Sequence, residues 1–185
     1  MDTGARNYQR YLSGEDVGLV ELITEYQQPL FQFLCGYVRD EGVAEELTEE
    51  VFFRLTVKKP HFRGASDFRT WLFSIGRNVS FDYLRRQKRR GTLPFADAER
   101  LLPHRESVAD TYEKKERLQQ LHIALAKLPK AQCEVLYLAY FSEFSADRIA
   151  AVIGKSRRGA ESLLYRARKR LKTELEQGGF VYEEL

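Results

Sequence analysis

The stretch from Ser66 to Arg90 constrains the fold of this chain more than any other feature of its sequence. Apolar residues recur in it at spacings of four and three, which is the period of one helix face. Ser66 is the predicted N-cap, and the carboxylate of Asp67 favours the positive end of a helix dipole. We therefore predict a long helix here, with an apolar stripe formed by Phe68, Leu72, Ile75, Val79 and Tyr83.

The same segment is strongly basic. Between Phe53 and Arg90, eleven lysines and arginines stand against two carboxylates, and seven aromatic residues are interleaved with them. Basic groups follow a phosphate backbone, and aromatic rings stack on bases or wedge between them, as in proteins that bind single strands. This pattern favours nucleic acid as a partner. The alternative is a helix whose aromatic residues all lie in the core and whose charges are solvated.

Helical patterning continues on both sides, and strand patterns are nearly absent. Pro29 interrupts the apolar stripe of 17–37, which predicts a kink or two shorter helices. Between residue 91 and about residue 111 the periodicity is lost. We therefore predict an all-α fold, with two small helical domains joined by a flexible linker. The predicted boundaries are 1–90 for the first domain, 91–111 for the linker, 112–177 for the second domain and 178–185 for a tail.

Within the second domain, the segment from Phe144 to Leu171 has the build of a helix-turn-helix. Gly154 ends a short helix, and Ser156 is placed to cap the next one after a three-residue turn. Residues in the first turn could reach base edges in a major groove, and later cations could pair with phosphates. A helical hairpin with a solvated basic face is the alternative. The candidate DNA-binding residues are Ser156, Arg157, Arg158, Glu161, Ser162, Tyr165, Arg166, Arg168 and Lys169.

The sequence has no constellation typical of catalysis. Its three histidines are scattered, and a Gly-rich phosphate loop and a metal motif are absent, so we expect no enzyme activity, cofactor or metal. Cys35 and Cys133 have no partner at metal spacing and are predicted to be buried, reduced thiols. Without a signal peptide or a membrane-spanning apolar run, we expect a cytoplasmic protein with no membrane insertion.

Three blocks of the chain resemble the extracytoplasmic-function (ECF) sigma factors of bacterial RNA polymerase. The first is the acidic block Glu45–Phe52, and the second is Phe68–Asn78, which Asp82 and Arg86 follow. The third runs from Leu128-Pro129 through the helix-turn-helix. The likeness covers nearly the whole chain, from about Asp16 to Leu175. It implies a promoter-specificity subunit without catalysis of its own.

The resemblance also implies which residues bind which partner. The acidic helix would dock on core RNA polymerase, and the first domain would capture the minus-ten element of promoter DNA as melted single strand. The second domain would read the minus-thirty-five element as duplex. The implied core-binding residues are Glu46, Thr48, Glu49, Glu50 and Phe53, and the implied minus-ten residues are Phe62, Arg63, Ser66, Trp71, Arg77, Asn78, Asp82, Arg85 and Arg86.

Several details leave room for other interpretations. Trp71 could pack between helices and hold the reading surface rather than stack on a base. Arg148 stands where the family usually has Glu, so the capping box with Ser145 is lost, and Gly76 stands where Ala is commoner. A stand-alone helix-turn-helix regulator and a protein–protein adaptor are the rival functions. Because family members are commonly held inactive by an anti-sigma protein, such a partner is also expected.

Overall fold

The computed structural model describes residues 2–38, 40–90, 117, 120, 121 and 123–180. The predicted linker lies outside the described residues, as do most of residues 112–122 at the start of the second domain and the end of the tail. In the described ranges all regular structure is helical, as predicted. Residues 123–126 are helical, and seven helices have defined bounds: α1 Thr3–Leu12, α2 Asp16–Val38, α3 Glu41–Val57, α4 Phe68–Arg90, α5 Lys130–Tyr140, α6 Ala146–Ile153 and α7 Arg157–Gln177.

Helix α1, which the sequence patterns did not predict, ties the N-terminus to the start of α4. The Asp2 carboxylate accepts hydrogen bonds from the backbone N–H of Ala5, at 2.8 Å, and from that of Phe68, at 2.9 Å. It therefore satisfies otherwise unpaired donors at the starts of two helices. The Tyr8 hydroxyl donates to the carbonyl of Pro60 at 2.8 Å, which anchors the loop before α4 to the same helix.

Helix α2 passes Pro29 without a break, so the alternative of two shorter helices is wrong. Proline removes one backbone hydrogen bond from a helix, but burial on both sides of it can hold the chain helical. Leu30 and Leu34 are fully buried against α4. The departure at Gly76 has its reason here, because a Cβ at that position would lie 2.9 Å from Cδ1 of Leu30. An alanine at this position would require the Leu30 side chain to shift.

The N-cap of α4 is Asp67 rather than Ser66, which corrects the sequence prediction by one residue. The Asp67 carboxylate accepts from the backbone N–H and from the hydroxyl of Thr70, both at 2.9 Å. A carboxylate makes charge-assisted hydrogen bonds at a helix N-terminus, which a serine hydroxyl cannot. The hydroxyl of Ser66 instead donates to the carbonyl of Asp67 at 3.2 Å.

The predicted helix-turn-helix is confirmed in α6 and α7. Gly154 ends α6 in the left-handed region, with φ of 66°, a conformation that glycine adopts without strain. Ser156 caps α7 by accepting from the N–H of Gly159 at 3.2 Å. The inner face of α7 buries Ala160, Leu163 and Ala167. This arrangement leaves the opposite face of α7 turned outward.

The second domain packs directly on the first. Helix α5 lies against both α2 and α7, and α6 lies against α4. Every residue of α5 from Cys133 to Leu138 is buried, because one side of the helix faces its own domain and the other faces α2. The buried apolar residues of the two domains form one continuous cluster.

Candidate nucleic-acid interfaces

The predicted minus-thirty-five surface lies entirely on the outside of the molecule. All of its candidate residues, from the cap of α7 to Lys169, are exposed. Arg157 donates to the Glu161 carboxylate at 2.9 Å and also pairs with Asp147 at 3.3 Å. The hydrogen bond that Arg157 donates to Glu161, followed by the charge of Asp147, raises the pKa of Arg157 above its ordinary value. This surface therefore offers a fixed donor and acceptor pair at the start of a helix, the position from which major-groove readers contact bases.

Further along α7 the exposed side chains are mainly cationic. Arg166, Arg168 and Lys169 all face solvent, and the Arg168 guanidinium lies 5.4 Å from the centre of the Tyr140 ring. Tyr140 and Phe141 are themselves exposed at the end of α5. Cations in this position suit the phosphate backbone beside a groove.

The predicted minus-ten surface is built around an aromatic cluster. The Trp71 ring lies 5.2 Å from Phe62, 5.3 Å from Phe68 and 5.5 Å from Tyr8, measured between ring centres. Phe68 is fully buried, whereas Trp71 and Phe62 are half-buried. Trp71 thus packs α4 against α1 and the preceding loop, which fits the interpretation that it holds the reading surface in place.

The other predicted minus-ten residues divide by exposure. Asn78, Arg63, Arg85 and Arg86 are exposed, whereas Ser66 and Asp82 are half-buried. Asp82 and Arg85 form an ion pair one helical turn apart. An exposed amide can read base edges, and exposed guanidinium groups can pair with phosphates. Together these side chains form an open strip along α4 and the loop before it.

Arg77, at the centre of the minus-ten set, is covered by the second domain. Its Nε donates to Oε1 of Glu134 at 2.6 Å, and its guanidinium lies 4.5 Å above the Phe81 ring. The Glu134 side chain is 4% exposed. Although partial burial lowers the pKa of Arg77, the Glu134 carboxylate raises it above its ordinary value. Burial, and then the charge of Glu134, raises the pKa of the Tyr37 hydroxyl far above its usual range.

A second group of contacts lies at the start of α4. The Arg69 guanidinium contacts two rings, 5.6 Å from the centre of Phe73 and 5.2 Å from that of Phe144. The two rings are 5.1 Å apart. Arg148 pairs with the Asp67 carboxylate at 2.9 Å. The residue that breaks the family's capping box therefore forms an ion pair between the two domains.

The predicted core-binding residues lie along α3. Glu46, Glu49 and Phe53 are exposed, and Glu50 pairs with Arg54 at 2.7 Å. Thr48 is buried, and its hydroxyl donates to the carbonyl of Ala44 at 2.7 Å. Next to this face, α2 and α3 enclose a surface groove of about 630 Å³, lined by Ile23, Gln27, Gln28, Phe31, Glu41, Gly42, Glu45, Thr48, Glu49 and Phe52.

Both cysteines are free and buried, as predicted. Burial, followed by the charges of Glu41 and Asp40, raises the pKa of the Cys35 thiol to about 12. Within the described ranges, no group of three or more acidic, histidine or cysteine side chains is placed to hold a metal ion. None of the helices described is long and apolar enough to cross a membrane.

Two family models match the chain, Sigma-70 region 2 over residues 22–90 and Sigma-70 region 4 over residues 118–171. The chain is 30% identical over 159 residues to the ECF RNA polymerase sigma factor SigM of Bacillus subtilis, an alignment that covers 85% of this chain and 95% of SigM. The chain belongs to the ECF family of RNA polymerase sigma factors. It is also 32% identical over 165 residues to the ECF sigma factor SigC of Mycobacterium tuberculosis, covering 88% of this sigma factor and 86% of SigC.

Two solved structures share the fold of this sigma factor. One is the sigma factor RpoE in complex with the anti-sigma factor NepR from Bartonella quintana, with a TM-score of 0.68 and 24% identity, covering 84% of this chain and 95% of that one. The other is CnrH in complex with the cytosolic domain of CnrY, with a TM-score of 0.70 and 24% identity, covering 95% and 99%.

Sequence patterns missed several residues that shape the predicted minus-ten surface of this sigma factor. Asp2 and Tyr8 hold its edge, and neither stands in a periodic apolar segment. Glu134 and Phe144 cover it from the second domain. A signal for Glu134 was present, since a single carboxylate within the apolar run of α5 requires a buried cationic partner.

Proposed function

We propose that this sigma factor docks on core polymerase through α3 and captures the melted minus-ten strand with α4 and the loop before it. Helix α7 reads the minus-thirty-five duplex. The working units are residues 1–90 and 112–177, joined by 91–111. Sigma-factor function follows from the family, and the assignment of these surfaces is inferred from their geometry and charge.

The exposed acidic face of α3 carries the proposal. Glu46 and Glu49 are exposed beside the groove, and Phe53 is 57% exposed one turn further along. Carboxylates at the rim of a partly apolar groove fit a protein partner that presents both cations and apolar side chains. A stand-alone helix-turn-helix regulator would have no use for this surface, which favours the sigma-factor interpretation over that alternative.

The open strip of α4 supports the minus-ten assignment. Asn78 offers an amide to base edges, and Arg85 and Arg86 offer cations to phosphates. Trp71 and Phe62 set the position of this strip through the aromatic cluster. Because the cluster joins α1, the loop and α4, it holds the strip in a single geometry in the absence of DNA.

Three further assignments follow from this role. The protein has no catalysis of its own and acts in the cytoplasm, where RNA polymerase works. An anti-sigma protein is a further partner, because the two similar structures described above are complexes with other proteins, one of them an anti-sigma factor by name. No residue of this chain is assigned to that partner.

Run-off transcription with core polymerase on a genomic fragment library tests the proposal. The wild-type protein should start transcripts at defined sites that core polymerase alone does not use.

The double variant Glu49→Lys with Glu50→Lys should bind core polymerase more weakly in a pull-down and keep its helicity, because exposed helix charges contribute little to folding. Unchanged core affinity would show that α3 is not the dock.

Asn78→Ala separates strand capture from docking in the same assay. This variant should bind core polymerase normally and form fewer open complexes, seen as fewer permanganate-reactive thymines near the start site. Its side chain is exposed, so loss of the fold would not explain the result. Normal promoter melting by Asn78→Ala would move the role to other residues of α4.

A further inference from the structure

The two domains meet through close side-chain packing and through ion pairs. The Tyr137 ring packs against α2 at Gly36, where a Cβ would lie 2.8 Å from Cδ2 of the ring. Tyr137 is 5% exposed and Phe73 is fully buried. Only a residue without a side chain allows α5 to sit this close to α2.

Charges at this contact are paired across the domains at two points. Arg77 on α4 pairs with Glu134 on α5, and Asp67 at the start of α4 pairs with Arg148 on α6. The Arg69 guanidinium contacts the rings of both Phe73 of the first domain and Phe144 of the second. Its Nε is buried and has no hydrogen-bond partner among the described residues.

One of these cations, Arg77, lies on the surface to which single-stranded DNA is proposed to bind. A carboxylate oxygen at 2.6 Å from the Nε of Arg77 takes the position that a phosphate oxygen would take in a charge-assisted hydrogen bond. Because Glu134 is almost fully buried, the two domains must separate before Arg77 can exchange it for DNA. Closure and strand capture therefore compete for the same guanidinium.

We propose that the closed packing of the second domain on α2 and α4 is a self-inhibited state, in which Glu134 stands in for a DNA phosphate at Arg77. The inference rests on the proposed minus-ten role of α4. Arg148 contributes to this closed state. It cannot complete a capping box in its own helix, and it instead forms an ion pair with Asp67 across the two domains. Apparent affinity for single strands is then reduced by the fraction of molecules that are closed.

Arg148→Glu is the most informative variant. It places two carboxylates opposite each other at Asp67, and it supplies the glutamate that completes a capping box with Ser145, so the second domain should remain folded. The substitution makes the protein more acidic, and charge alone would weaken DNA binding. The proposal instead predicts that Arg148→Glu binds single-stranded DNA more tightly. Lys172→Glu, which makes the same change of charge on an exposed part of α7, is the matched control.

The probe is a fluorescein-labelled single strand of about 20 nucleotides and mixed sequence, titrated by anisotropy at low salt. Arg148→Glu should bind it roughly three- to tenfold more tightly than the wild type, and Lys172→Glu should bind it more weakly. Small-angle scattering on the same samples should give a larger radius of gyration for Arg148→Glu, against roughly 16 Å for a compact chain of this length. Gly36→Ala changes no charge and should act in the same direction by wedging Tyr137 away.

An unchanged radius of gyration in both Arg148→Glu and Gly36→Ala would overturn the closed state. Expansion without tighter binding would show that closure masks nothing, and would overturn the inhibitory role. Circular dichroism separates either result from unfolding. Run-off transcription tests the proposed sigma-factor role separately. If the wild type failed to start transcripts, the proposed function would be wrong, but the scattering evidence for a closed state would still hold.

Discussion

On α7 every predicted DNA-contacting side chain faces solvent, whereas on α4 the central cation is covered by a carboxylate of the other domain. Charge patterns in the sequence make the two surfaces look equivalent. Their difference comes from what packs behind and in front of each helix. Helix α7 has α5 and α6 on its inner side and nothing among the described residues on its outer face. Helix α4 has the first domain on one side and α6 on another.

This contrast separates a surface that is always available from one that depends on domain arrangement. A recognition helix that binds duplex DNA is held in place by its own helix-turn-helix alone. The proposed minus-ten surface needs the aromatic cluster to hold it and, in the proposed closed state, needs the second domain to leave it. The first requirement concerns stability, and the second concerns access, so mutations should separate them.

The largest expected effect is on the support of the minus-ten surface. Phe68 is fully buried among Tyr8, Tyr26, Phe62 and Trp71. Phe68→Ala should lower the free energy of unfolding by about 3–5 kcal/mol, because it leaves a cavity in a rigid cluster. Chemical denaturation followed by circular dichroism measures the loss.

Tyr165→Ala is the matched control on the open surface, since that ring is 67% exposed. Its free energy of unfolding should change by no more than about 0.5 kcal/mol. Equal losses for the two variants would mean that α7 is as dependent on its aromatic side chain as α4, and the contrast between the two surfaces would fail.

The second effect concerns how the open surface reads DNA. Arg158 is exposed in the first turn of α7, and Lys169 is exposed three turns later. Arg158→Ala should cost about 1–3 kcal/mol of binding and relax preference at one base pair, whereas Lys169→Ala should weaken all duplexes alike and lower the salt slope by about one unit. Titrations of the full chain against duplexes varied one base pair at a time, at two salt concentrations, measure both. Uniform losses for both variants would mean that α7 contacts only the backbone.

Local features of the fold could be predicted from the sequence because they depend on neighbours along the chain. Apolar spacing predicted α2, α3 and α4, and the turn residues Gly154 and Ser156 predicted the helix-turn-helix. The N-cap of α4 was misplaced by one residue, since Ser66 and Asp67 are both good caps and the structure has Asp67 accepting from the N–H of Thr70. Helix α1 was missed because its buried residues include Gly4 and Asn7, which do not form an apolar pattern.

The covering of Arg77 could not be predicted from spacing, because its partner lies 57 residues away. The sequence did carry two indications that only the fold brings together. One is the strongly apolar α5, which needs a second partner besides its own domain, and the other is Arg148 in place of a capping glutamate. Residues such as these have a clear role only once the two domains are placed against each other.

A smaller effect concerns the cap of the open surface. Ser156 holds the first turn of α7 through the N–H of Gly159. Ser156→Ala should lower the free energy of unfolding by about 1 kcal/mol, as for other N-cap serines, and should weaken duplex binding through fraying of the turn that carries Arg158. Thermal unfolding and duplex titration measure the two effects. Retention of full duplex affinity would show that the turn is held by DNA rather than by its cap.

The smallest expected effect is the loss of an exposed ion pair, measured against the loss of a buried one. Arg157 and Glu161 are 65% and 49% exposed, whereas Glu134, the partner of Arg77, is 4% exposed. Glu161→Gln should leave the urea denaturation midpoint unchanged within error, because an exposed pair gains little over hydration. Glu134→Gln should lower the midpoint, because it leaves the Arg77 guanidinium half-buried beside a neutral amide. Since both variants remove one negative charge, net charge cannot account for a difference between them. Equal midpoints would mean that the contact between Arg77 and Glu134 contributes no more stability than the exposed pair between Arg157 and Glu161.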